Sequence, residues 1–148
     1  MIQNGMVFEE FAVGQRFETG SRVIGEADVL AFAEVSGDRN PLHLDEAYGK
    51  ASVFGERVAH GVLGLAVATG LVNGLGLTRG TLVALRGLRW GFEQPIRFGT
   101  VVRGVLRVEA VQETKNPARG RVTLAVELED ETGSILQRGA LELLVRRR

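Results

Sequence analysis

The chain has 148 residues, 45% hydrophobic and 24% charged, and its 18 basic and 18 acidic side chains cancel. That composition describes a single globular domain over residues 1–148, large enough to bury roughly 70% of its unfolded surface, with no overall charge to draw it to nucleic acid or an anionic membrane. The absence of cysteine excludes disulfides, thiolate metal sites and a cysteine nucleophile, and suits a reducing cytoplasm.

In chain order, "MIQNGMVFEEFAVGQ" lacks the basic region and long apolar core of a signal peptide. A turn at Gly14 leads into a strand-like run from Arg16 to Ile24. "EADVLAFAEVS" places Val29, Leu30, Phe32, Ala33 and Val35 close to helical spacing, with acidic residues in the first turn, where the helix dipole favours them. Gly37 ends that helix, and "SGDRNPLHLD" follows as a stiff, bent loop. "DEAYGKA" then reads as one or two helical turns.

From Val58 to Thr78 no residue carries a fixed charge. A run of about 20 apolar residues can cross a bilayer, but this one holds His60, Asn73 and five glycines and sits between polar segments. It reads instead as a helix at about Gly61–Leu75, buried on all sides of a soluble fold. The second half alternates. Val122, Leu124, Val126 and Leu128 stand against Thr123, Ala125, Glu127 and Glu129, and "KNPARG" and "DETG" read as hairpin turns. Four strand candidates from Thr81 onward form an antiparallel meander, with the earlier strand added. A strongly curved sheet wrapped around the one long helix satisfies that order.

Two stretches carry chemistry. In the loop, Pro41 fixes its own backbone and extends Asn40, whose side chain can lock the turn. Asp38 and His43 are five residues apart, which would separate them on a helix but lets them converge on a bend. A carboxylate and an imidazole that share one water can move a proton near neutral pH. The same spacing also fits a capped turn with a buried, hydrogen-bonded histidine. In "RVAHGVLGL", His60 and Gly61 open the long helix. The Gly61 N–H, unpaired at a helix start, suits an oxyanion donor, typically worth on the order of 3 kcal/mol. Alternatively, Gly61 only allows close packing and His60 is a cap.

Together, "FAEVSGDRNPLHLDEAYGKASVFGERVAHGVL" resembles the signature of the MaoC-like dehydratases, the family of (R)-specific enoyl-CoA hydratases. "FEEFAVGQRFETGSRVIGEADV" and "LRWGFEQPIRFGTVV" extend the likeness over most of the chain. The resemblance implies an α+β hot-dog fold, a curved antiparallel sheet around a long central helix, paired into a homodimer. It implies that Asp38 and His43 are the catalytic pair, that the Gly61 N–H holds the thioester oxygen, and that Asn40 supports the loop. His60 lies in the matching His-Gly pair. Gly25 departs from the family, which often has Thr or Ser capping the first helix.

The implied reaction is reversible addition of water to a trans-2-enoyl thioester. CoA or an acyl-carrier pantetheine belongs to the substrate, and no metal or other cofactor takes part. Thr69 and Val72 are candidates for an acyl tunnel along the central helix. Arg57, Arg86 and Arg89 are candidates for CoA phosphates. A thioesterase, a non-catalytic partner subunit and a metal site from Asp38, His43, Asp45 and His60 are the competing readings.

Overall fold

The alternation of the second half becomes a sheet with one covered face. In the computed structural model, which describes residues 4–148, a 3-10 turn at Phe8–Glu10 precedes β1 (Arg16–Ile24) and three helices, α1 (Glu26–Ser36), α2 (Pro41–Leu44) and α3 (Glu46–Ala51). The long helix α4 (Gly61–Gly74) follows, and then β2 (Leu82–Phe92), β3 (Thr100–Glu113), β4 (Arg119–Asp130) and β5 (Ile135–Arg146). The first three residues of the N-terminal segment read above lie outside the described residues.

The five strands form one antiparallel sheet in the order β1-β3-β4-β5-β2. Val122, Leu124, Val126 and Leu128 on β4 and Leu106 and Val108 on β3 are all buried. They form two apolar clusters against α4: one holds Leu63, Val67 and Ala68 with Ile24, Val102 and Leu128, the other gathers Phe8, Phe11 and Leu77, with Val72 against it. Irregular pairings in β1, β2, β3 and β5 interrupt the ladders, and such bulges bend and coil strands.

The strand order corrects the meander. Only β3, β4 and β5 follow one another, because β2 pairs with β5 at the far edge and β1 takes the place beside β3. The link between β2 and β3, residues 93–99, is therefore not a hairpin but a crossing from one edge of the sheet toward the other. It runs from β5, where the N–H groups of Glu93 and Gln94 donate to the Leu136 carbonyl, to β1, where the Gly99 N–H donates to the Ile24 carbonyl. On the way Ile96 is buried and its carbonyl accepts from the Ala59 N–H, just ahead of α4.

Burial of α4 on all sides is also corrected. Leu63, Gly64, Val67 and Ala68 face the sheet, whereas Val62, Ala66, Thr69 and Gly70 are exposed. Strand β2 likewise leaves Leu82, Val83, Leu85, Leu88 and Phe92 about half exposed. In α1 the covered stripe is narrower than the spacing suggested: Val29 and Ala33 are buried, but Leu30 and Val35 point outward. Gly25 caps α1 without a side chain. The Asp28 carboxylate reaches back to accept its N–H at 2.9 Å, so half of a capping box survives. Among the described residues no helix is long and apolar enough to cross a membrane.

Candidate active site

The loop between α1 and α2 is fixed by a relay of short-range bonds. Gly37 takes the left-handed conformation at φ 77°, which glycine adopts without strain. The Ser36 hydroxyl accepts the Asp38 N–H at 3.1 Å, the Asp38 carboxylate accepts the Asn40 N–H at 3.2 Å, and the Asn40 side chain accepts the Leu42 N–H at 3.0 Å. Pro41 then opens a single helical turn, for which its fixed φ is suited. The stretch read as an open bend thus contains α2, and that turn swings His43 back toward Asp38.

Each histidine spends one ring nitrogen on a backbone carbonyl. His43 Nδ1 donates to the Val58 carbonyl at 2.7 Å, which leaves Nε2 as the free nitrogen. His60 Nε2 donates to the Asp38 carbonyl at 2.9 Å, and among the described residues the buried His60 Nδ1 has no partner. The two imidazoles lie face to face, with centroids 3.9 Å apart and planes tilted by 31°, and the Phe32 ring meets His60 edge-on. One carboxylate oxygen of Asp38 and one ring nitrogen from each histidine all lie within 4.8 Å of one another. These three donors are a partial ligand set for a cation. Asp45 stands outside it, capping α3 by accepting the Tyr48 N–H at 2.9 Å.

His43 and Gly61 open onto a cleft of about 300 Å³, whose walls include Phe54, Phe92, Gln94 and Gln137. Asp38 is exposed and not among the residues that line this cleft, with a carboxylate oxygen within 4.8 Å of a His43 ring nitrogen. Gly61 is the first residue of α4, and among the described residues its N–H has no protein acceptor. A Cβ there would come within 2.8 Å of the Phe92 ring, so the missing side chain is what lets Phe92 cover the helix start. At the mouth Glu93 pairs with Arg138 at 2.6 Å, and that bond holds the Arg138 guanidinium above its usual pKa.

The structure thus brings Asp38, His43, His60 and Gly61 together, with Asn40 in support. It does not bring in Thr69 or Val72. Thr69 is exposed, its hydroxyl donating to the Ala66 carbonyl at 2.7 Å, and Val72 packs on the cluster around Phe8 and Phe11. Both sit more than two helical turns beyond Gly61, roughly 12 Å or more along the axis. Arg57 and Arg89 are engaged by Glu26 and Glu109. Arg86 lies in a separate basic recess with Lys115, Arg119 and Arg121.

The residue missed from the sequence is Gln137. The signal was there: Leu141, Leu143 and Val145 face the core, and the period of two puts Gln137 on the same inward side.

The comparisons agree with this architecture. The family model described as a MaoC like domain matches residues 8–130. The chain is 32% identical over 128 residues to the 3-hydroxybutyryl-CoA dehydratase of Methylorubrum extorquens, covering 85% of this chain and 77% of that one. It is 31% identical over 123 residues to the (R)-specific enoyl-CoA hydratase of Rhodospirillum rubrum, covering 80% and 81%. The crystal structure of the MaoC-like dehydratase from Rhodospirillum rubrum superposes with a TM-score of 0.87 at 29% identity, over 97% of this chain and 99% of that one. The sheet wrapped around α4 is the hot-dog fold, and the chain belongs to the MaoC-like family.

Proposed function

We propose that this protein is a hydro-lyase that adds water to trans-2-enoyl-CoA, giving (R)-3-hydroxyacyl-CoA, and catalyses the reverse dehydration. The observation that carries this reading is the free Nε2 of His43. Its ring is oriented by the Val58 carbonyl and lines the same cleft as Gly61, and one nitrogen of that ring lies within 4.8 Å of an Asp38 carboxylate oxygen. The named activities of the relatives support a hydro-lyase.

A water held about 2.8 Å from two acceptors at a near-tetrahedral angle separates them by about 4.6 Å. One Asp38 carboxylate oxygen and one His43 ring nitrogen lie within 4.8 Å of each other, a separation of that order. As the water oxygen bonds to the β-carbon, the pair takes one of its protons. As the enolate collapses, the pair returns one to the α-carbon, so no proton is gained or lost. Charge passing onto the thioester oxygen meets the Gly61 N–H and the positive end of α4. The thioester itself acidifies the α-position, so the addition needs no metal or redox group, and CoA or a carrier pantetheine is part of the substrate.

The exposed apolar side chains of β2 and α4 support a homodimer. Burying Leu85 and Leu88 of the edge strand and Val62 of the helix against a second copy would also pair the open edge.

Crotonyl-CoA tests the reaction. We expect loss of the conjugated thioester absorbance and formation of (R)-3-hydroxybutyryl-CoA. Release of free CoA, or formation of the (S) product, would contradict the assignment.

A further inference from the structure

The amide of Gln137 is the most deeply buried polar group on the cleft wall, at 1% exposure, and the mechanism above makes no use of it. Its Oε1 accepts the indole N–H of Trp90 at 2.9 Å, and its Nε2 donates to the Gly61 carbonyl at 3.0 Å. These partners leave the amide one orientation. An indole nitrogen only donates and a backbone carbonyl only accepts, so a flipped amide would lose both bonds.

The surroundings are built for that amide. A Cβ on Gly64 would lie 2.4 Å from Nε2, 2.6 Å from Oε1 and 2.6 Å from the Ile96 side chain. Gly64 therefore leaves the space in which Gln137 reaches the first turn of α4. Trp90 packs against both apolar clusters and is a fixed anchor behind the amide. The chain of contacts runs from the sheet, through the indole and the amide, to the first peptide of α4. That peptide adjoins the one whose N–H is the oxyanion donor.

We infer that Gln137 is a positioning residue for the Gly61 N–H. Building on the hydratase reading, the bridge from Trp90 fixes where the start of α4 sits against β5, and so fixes where the thioester oxygen is held. Oxyanion donors act through geometry already set before the reaction, and misplacement by about 1 Å can cost on the order of 100-fold in rate.

Gln137→Met keeps the length and removes both bonds. We expect kcat for crotonyl-CoA to fall about ten-fold while KM stays within about two-fold, because only the developing charge is affected. Trp90→Phe frees Oε1 but keeps the bond to Gly61, and its kcat should lie between wild type and Gln137→Met. A second readout does not depend on turnover: the amide proton of Gly61, followed by NMR, should shift and exchange faster in Gln137→Met. A folded Gln137→Met with wild-type kcat overturns the inference. If the wild-type protein fails to hydrate crotonyl-CoA, the hydratase reading falls, and an unmoved Gly61 amide in Gln137→Met overturns the positioning role independently.

Discussion

The side chain of His60 holds the backbone of Asp38: its Nε2–H donates to the Asp38 carbonyl at 2.9 Å, across 22 residues of sequence. One histidine of the chain thus ties down the loop that carries the acid, while the other, His43, keeps a ring nitrogen free. The face-to-face contact of the two rings adds a second tie between the loop and the start of α4.

Removing the His60 bond leaves a part-buried carbonyl without its donor, at a cost of roughly 1–3 kcal/mol. His60→Leu should lower the melting temperature and also reduce crotonyl-CoA turnover, since the Asp38 loop loses its tie. His60→Gln, which can still donate, should lose less of both. Thermal melts beside initial rates check this. Equal loss in the two variants would show that ring packing, not the hydrogen bond, is what matters.

The two glycines of the first turn of α4 should respond differently to alanine. At Gly61 the new Cβ meets the ring of Phe92, which is 54% exposed and free to swing away. Gly61 is the first residue of α4, where the interior penalty of glycine does not apply, so stability should stay near wild type. At Gly64 it meets the bonded amide of Gln137 and the buried Ile96. Overpacking there should cost about 1–3 kcal/mol. Chemical denaturation of both variants decides, and a Gly64→Ala protein as stable as wild type would contradict the packing described here.

Homodimer formation should depend on β2. Sedimentation should give a dimer for the wild type, and Leu85→Arg combined with Leu88→Arg should give a monomer of lower stability. These side chains are about half exposed in the single chain, so arginine there is accommodated by the monomer and opposed by the dimer. A monomeric wild type would remove the proposal.

The turn after β4 should give an acid-side signature. The Asp130 carboxylate accepts the Thr132 hydroxyl at 2.7 Å, and it also accepts the N–H groups of Thr132 and Ser134. The Thr132 hydroxyl, and then these backbone donors, hold its pKa below the usual 3.8. A depressed folded-state pKa stabilises the fold when the group is ionised. The contribution is present above pH 3.8 and disappears as the pH falls through the lower folded value. The melting-temperature gap between wild type and Asp130→Asn should therefore be seen at neutral pH and narrow under acid. A gap independent of pH would contradict the ionised role.

Local patterns made much of this molecule readable. The helical spacing after Gly25 matched α1, and the period-2 alternation matched the strands, because both depend on which residues face a core close by in sequence. Strand order was not readable. It depends on pairings between strands far apart in sequence, and no residue in β2 states its neighbour. The exposed faces of α4 and β2 were hidden for a related reason: an apolar side chain looks the same whether its cover is the same chain or another. Asp38 and His43 stood out because an acid, a proline and a histidine in one bend are unusual. Gln137 did not, because its partners Trp90 and Gly61 lie 47 and 76 residues away.

The central claim is that Asp38 and His43 act together on one water. It is tested most directly by the initial rate of crotonyl-CoA hydration in wild type, Asp38→Asn and His43→Gln, with folding of each confirmed by circular dichroism and melting. Each substitution should leave a folded protein whose rate has fallen by at least about 100-fold, the lower range for a general acid or base. Folded variants that hydrate crotonyl-CoA at the wild-type rate would contradict the account.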